Sequence, residues 1–120
     1  MDARVERTIF MMSDRMADQL SIHALSRGVN LSPGRLRQLF KMETGLSPMR
    51  YAKRLRLEKA ANLLRTTFLS IKEVISQSGG GDVSNFVRDF KKQYGLTPSK
   101  YRVRRRPFLK VPVRGRRNGK

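Results

Sequence analysis

Phe40-Lys41-Met42-Glu43-Thr44-Gly45-Leu46-Ser47-Pro48-Met49-Arg50-Tyr51 returns fifty residues later as Phe90-Lys91-Lys92-Gln93-Tyr94-Gly95-Leu96-Thr97-Pro98-Ser99-Lys100-Tyr101. Phe, Lys, Gly, Leu, Pro and Tyr recur in register, with Ser/Thr and Arg/Lys exchanges between the copies. Each copy reads as the end of one helix and the start of the next. A glycine stops the first helix, and a hydroxyl residue followed by proline opens the second in the favoured cap-then-proline order. A short chain with two copies of one unit presents that unit's surface twice.

Outward from the repeat, helical periodicity dominates and no alternating strand pattern stands out. Val5, Ile9, Met12 and Met16 make one apolar stripe, predicting a first helix near 4–19 whose methionines are core. Ser21 caps a short segment carrying Ile22 and Leu25 that ends near Gly28. Ser32-Pro33 opens a helix with Leu36, Leu39, Phe40 and the stem of Glu43 inward, stopped at Gly45. Ser47-Pro48 opens the longest helix, to about Thr66, lined by Leu57, Ala60, Ala61 and Leu64. The second half repeats the grammar. Ser70 caps a short helix with Ile71, Val74 and Ile75, and Gly79-Gly80-Gly81 follows. Asp82 caps a helix with Phe86, Phe90 and Tyr94 inward, and Thr97-Pro98 starts a last one through Tyr101. The expected fold is all-α: seven mostly short helices forming two helix-turn-helix units around a linker helix. The division is 1–66 for the first unit with the linker, 67–102 for the second, and 103–120 for a basic, disordered arm.

The 120 residues carry 27 Lys and Arg against 9 Asp and Glu, a formal charge of +18. Such an excess concerns partners rather than fold, with nucleic acid first and an anionic membrane second. Nine of the basic residues lie between Arg102 and Lys120, with no acid among them and Pro107, Pro112, Gly115 and Gly119 interspersed. No cysteine is present, which excludes disulfides, thiol nucleophiles and Cys-ligated zinc; His23 is the single histidine, so neither a metal site nor a cofactor is expected. No apolar run reaches the ~18 residues that span a bilayer, and the charged N-terminus does not read as a signal peptide. A cytoplasmic, nucleoid-associated protein is the default. No nucleophile–base pair or phosphate-cradling loop is visible, so an enzyme is not expected.

The helical wheel gives the outward faces of the two helices that end in the repeat. Opposite Leu36, Leu39 and Phe40 stand Gly34, Arg37, Gln38 and Lys41. Opposite Phe86, Phe90 and Tyr94 stand Ser84, Arg88 and Lys91, flanked by Asn85 and Lys92. Arg suits guanine O6 and N7, Asn or Gln suits adenine N6 and N7, and a second helix carrying them outward is the element that enters a major groove.

Over Ile22–Arg102 the chain resembles the DNA-binding domain of AraC/XylS-type bacterial transcription regulators. The carrying residues are Leu31-Ser32-Pro33, Leu36, Leu39-Phe40-Lys41, Gly45-Leu46-Ser47-Pro48, Tyr51, Arg56-Leu57, Ala60 and Leu63-Leu64 in the first half. In the second they are Ile71-Lys72-Glu73-Val74, Gly79, Asp82, Ser84, Phe86, Arg88, Phe90-Lys91, Gly95-Leu96-Thr97-Pro98 and Tyr101-Arg102. The resemblance implies recognition helices at about 33–44 and 83–94, placed in successive major grooves of double-stranded DNA by a monomer. It implies base contacts at Gly34, Arg37, Gln38, Val83, Ser84, Asn85 and Arg88, with Val83 assigned by the resemblance alone. Phosphate contacts are expected at Ser32, Lys41, Lys91, Lys92 and Arg102. The arm adds Arg104, Arg105, Arg106, Arg114, Arg116 and Arg117. RNA polymerase is a candidate further partner. The family's small-molecule domain has no room in this chain, whether the chain is a stand-alone regulator or a fragment of one. The alternative is a non-specific architectural or nucleoid protein, which explains the arm but not the paired faces. The family usually has Ala at the place of Ile75, an apolar residue at Ser78 and an aromatic at Gly80; the second unit is therefore expected to be the looser.

Overall fold

In a computed structural model, residues 1–18 and 20–105 are described, and they form an all-helical protein with no strand among them. The helices are α1 (Ala3–Asp14), α2 (Ile22–Gly28), α3 (Pro33–Thr44), α4 (Pro48–Thr66), α5 (Ile71–Gln77), α6 (Val83–Tyr94) and α7 (Pro98–Arg105). A 3-10 turn at Met16–Asp18 follows α1. Most boundaries fall where the cap chemistry places them. Ser21, Ser32, Ser47, Ser70 and Asp82 each accept a hydrogen bond from the backbone N–H three residues on, satisfying one of the orphan donors of the first turn. Ser70 and Glu73 close a reciprocal capping box, and the Ser70 N–H holds the Glu73 carboxyl below the usual carboxylate range. Gly45 and Gly95 end α3 and α6 in the left-handed region, at φ 84° and 81°.

Two apolar cores share α4. Val5, Met12, Leu25, Val29, Leu36, Phe40 and Ala52 make the first. Leu57, Ala60, Ala61, Leu64, Val74, Ile75, Phe86, Phe90 and Tyr101 make the second. The linker helix thus gives Ala52 to one core and its C-terminal four-residue stripe to the other, and the change falls beside Arg56. The sequence division after residue 66 groups these side chains with a unit whose core they do not enter. The fifty-residue repeat is a packing unit: Phe40 meets Tyr51 edge-to-face at 5.2 Å, and Phe90 meets Tyr101 at 5.3 Å.

The first helix departs from expectation. It ends at Asp14 rather than near 19, because Arg15 leaves the helical region and the chain tightens into the 3-10 turn. Met16 is half-buried in that turn. Thr8 is fully buried, its Oγ1 donating to Arg4 O at 2.8 Å, a core position that an apolar stripe cannot reveal. Glu43 is also corrected: its stem does not enter the core. The side chain is exposed and its Oε1 accepts the Asp2 N–H at 2.7 Å, tying the start of α1 to the end of α3.

Candidate nucleic-acid interface

α2–α3 and α5–α6 are two helix–turn–helix units with equivalent turn hydrogen bonds. Leu31 N–H donates to Ser26 O at 3.0 Å, and Gly80 N–H donates to Ile75 O at 2.8 Å. The first turn holds one left-handed residue, Asn30 at φ 57°, whereas in the second all three glycines are left-handed, Gly79 at φ 107°, Gly80 at 65° and Gly81 at 89°. The second turn then takes one more residue, Gly81, before its cap. α3 is held inward by Leu36 and Phe40, α6 by Phe86 and Phe90. That leaves the opposite face of each helix in solvent.

Gly34, Arg37, Gln38 and Lys41 are exposed on α3; Val83, Ser84, Asn85, Arg88, Lys91 and Lys92 are exposed on α6. Val83 is 47% exposed, so it is no core residue. A Cβ on Gly34 would meet nothing within 4 Å, so the space in front of the first turn of α3 is open. Ser32 caps α3 and is exposed, close to the residues it would join. The two faces are not copies. The place of Arg37 is held in α6 by Val87, half-buried against the second core, and the place of Met42, 77% exposed, by Lys92.

Arg102 does not stand with the outward lysines. Its guanidinium is half-buried, donating from Nε to Leu64 O at 3.2 Å and from Nη2 to Thr67 O at 3.3 Å. It therefore satisfies carbonyls at the C-terminal end of α4, which the sequence alone does not reveal because those carbonyls are distant in the chain. Arg65 Nη1 donates to Tyr101 Oη at 2.7 Å, so α7 is clasped to α4 from both sides. Arg104 and Arg105 are exposed at the end of α7, with Arg105 5.6 Å from the Tyr101 ring centre. Arg106, Arg114, Arg116 and Arg117 lie outside the described residues.

Between α4 and α6 runs a cleft of about 150 Å³, lined by Lys53, Arg56, Gly81, Asn85 and Asp89 among others. It is smaller than the ~300 Å³ at which metabolite pockets begin. Lys53 Nζ pairs with Asp89 Oδ2 at 3.3 Å, joining the linker helix to α6. Arg56 is the half-buried residue at the junction of the two cores. Burial pushes its guanidinium pKa down while the Asp89 carboxylate opposes this; as a guanidinium it stays charged. Its methylenes lie against Gly79, where a Cβ would come within 2.2 Å of Arg56 Cδ.

The outward wheel missed Arg35. It is exposed, it is the third residue of α3, and its Nη1 donates to Gln38 Oε1 at 3.3 Å. In α6 the equivalent places hold Asn85 and Arg88, and there Arg88 Nη2 donates to Asn85 Oδ1 at 2.7 Å. Comparing the two helices residue by residue at the fifty-residue offset would have exposed this pairing.

A model of the helix-turn-helix domain matches residues 25–104. The chain is similar to the HTH-type transcriptional activator RhaS of Enterobacter sp. (strain 638), 34% identical over 101 residues; these cover 84% of this chain and 36% of that relative. It thus spans about a third of the length of such curated relatives. Among solved structures, it is similar to the C-terminal domain of AraT, a response regulator from Geobacillus stearothermophilus, at 29% identity and TM-score 0.82, covering 95% of this chain and 94% of that one. It is also similar to a probable AraC family transcriptional regulator from Rhodopseudomonas palustris, at 27% identity and TM-score 0.77, covering 88% and 100%.

Proposed function

Because the chain belongs to the AraC/XylS-type family of helix-turn-helix DNA-binding transcription regulators, we propose that it recognises one double-stranded DNA site with α3 and α6 in successive major grooves. The observation that carries this is the pair of exposed, N-capped helices packed against one linker helix that contributes to both cores. A shared linker fixes the two readers relative to each other, so one chain supplies both halves of the contact. Their docking sites fall about one helical turn, roughly 34 Å, apart on one face of the duplex.

Base edges are met from the outward row of α3 (Gly34, Arg37 and Gln38) and of α6 (Val83, Ser84, Asn85 and Arg88). Val83 supplies an apolar contact of the kind that suits a thymine methyl. Lys41, Lys91 and Lys92 reach phosphates, and the Ser32-capped start of α3 adds backbone N–H donors. Arg102 is left out, since its donors serve the fold. The basic residues beyond α7 add an electrostatic, sequence-independent attraction.

The chain binds as a monomer, and the choice between specific and architectural binding is settled by competition. Excess unrelated duplex at about 0.15 M salt should leave a specific complex intact and dissolve a purely electrostatic one. Removal of residues 106–120, which leaves α7 whole, should flatten the dependence of affinity on salt while leaving the preferred sequence unchanged. A changed preferred sequence would mean that the arm itself reads bases in the minor groove.

A further inference from the structure

The two units pack on opposite faces of α4. Tyr51, Ala52 and Leu55 face the first core, and Leu57, Ala60, Ala61 and Leu64 face the second. Tyr51 and Ala60 are nine residues, about two and a half helical turns, apart, so their side chains point in opposite directions. Where the faces change over, contacts outside both cores bridge the units. The Met16–Asp18 turn of the first unit lies alongside α5. Arg56 lines a small hollow with Met12, Arg15 and Met16, and it also lines the cleft beside α6. Lys53, next in the chain to Ala52 of the first core, pairs through Nζ with Asp89 Oδ2 on α6 at 3.3 Å. The Asp89 carboxylate attracts the Arg56 guanidinium as well.

We propose that Lys53 and Asp89 are spacing-determining residues: their ion pair sets the angle at which α6 stands to the first unit, and with it the separation of half-sites that one chain accepts. This rests on the reading that α3 and α6 dock in successive major grooves. Asp89 is a difference between the two copies that base contact does not use. On the fifty-residue offset its equivalent in α3 is Leu39, half-buried against the first core. The first reader is thus seated by an apolar side chain where the second is seated by a charge. The side chain of Asp89 is 25% exposed and that of Lys53 53%, so the short carboxylate is the fixed member and the lysine reaches to it.

Moving one half-site by one base pair shifts it by about 3.4 Å and turns it by about 35° around the duplex. A chain that meets such a duplex must twist one unit against the other, by bending α4 or by sliding α6 across it. Either motion draws Lys53 away from Asp89, because the pair joins the end of α4 built into the first core to the helix of the second unit. The pair therefore raises the penalty for a wrong spacing without contributing a base contact. An ion pair this exposed holds with a factor of up to about 5. Its effect falls on the choice between spacings rather than on whether the chain binds.

The test uses the whole chain and a duplex site selected from a random pool, at its selected spacing and with one base pair added or removed between the halves. The unaltered chain should favour one spacing. Lys53→Met and Asp89→Asn should each lower the affinity ratio between preferred and shifted spacings by about 2- to 5-fold. The exchange of Lys53→Asp with Asp89→Lys, which restores opposite charges over the same total reach, should return the ratio toward that of the unaltered chain. The bases selected within each half should be the same for every variant, and circular dichroism should show the same helix content. The proposal is overturned if Asp89→Asn keeps the ratio while Lys53→Met weakens all spacings alike, which would make Lys53 a phosphate contact. It is overturned too if the exchanged pair stays as tolerant as the single variants. If the unaltered chain binds all three spacings equally, the reading of two docked helices fails and the proposal falls with it.

Discussion

The turn of the first unit and the turn of the second make the same backbone hydrogen bonds around different contents. Val29 N–H donates to Ser26 O and Leu31 N–H to the same carbonyl; Ser78 N–H and Gly80 N–H do the same with Ile75 O. In the first turn the equivalent side chains are Val29, buried in the core, then Asn30, then half-buried Leu31. In the second they are Ser78, Gly79 and Gly80. Ser78 is fully buried and its Oγ has no hydrogen-bond partner among the described residues. One turn is thus fixed by apolar side chains from within. The other is fixed by backbone, with the Arg56 stem of the linker helix laid over Gly79 from outside. The same pair of hydrogen bonds closes both turns, but the second closes them with a left-handed Gly80 at φ 65° where the first has Leu31, so the turns differ in backbone as well as in filling.

That contrast is sharpest if the filling is exchanged. Val29→Ser should lower unfolding stability by about 2–4 kcal/mol, through lost apolar burial and a buried hydroxyl, as urea denaturation would measure. A loss near zero would mean that Val29 anchors nothing and the two turns are equivalent. Gly79→Ala should destabilise by about 2–3 kcal/mol, because φ 107° is unfavourable for a Cβ and Arg56 Cδ occupies its place. In an Arg56→Ala background the same substitution should be milder by about 1 kcal/mol. Equal effects in both backgrounds would remove Arg56 from the account of the turn. Native-state hydrogen exchange should find α5–α6 opening at lower free energy than α2–α3, by about 1 kcal/mol, the worth of one unsatisfied hydroxyl. Equal protection over residues 70–95 and 22–45 would show the second unit to be no looser. The smallest effect is Ser78→Ala, which should stabilise by about 0.5–1 kcal/mol by removing a hydroxyl that burial leaves unpaired. Destabilisation would point to a hydrogen bond that this hydroxyl makes in solution.

Much of the fold was legible because it rests on local chemistry. The caps at Ser21, Ser32, Ser47, Ser70 and Asp82, the left-handed stops at Gly45 and Gly95, and the spacing of Leu57, Ala60, Ala61 and Leu64 are short-range patterns, and the helices lie where those patterns put them. The misses share a cause. Thr8 is a polar residue in a core, satisfied by a carbonyl of its own helix, and hydropathy cannot see it. Arg102 resembles any surface arginine until α4 supplies the carbonyls it meets. Arg35 lies at the edge of the outward face on a wheel, and only its bond to Gln38 brings it into the row.

The sequence by itself determined the helices, their order, the twofold grammar and the basic charge, because caps, glycines and apolar spacing act over four or five residues. Only the tertiary structure decided which basic side chains remain outward and which are taken into the fold. It also decided that α4 divides between two cores at Arg56, with Lys53 joined to Asp89 across the cleft. Those outcomes depend on contacts between residues 23 to 38 positions apart, Arg56 with Gly79 and Arg102 with Leu64 among them. No local pattern encodes such a distance; packing of the whole chain sets it.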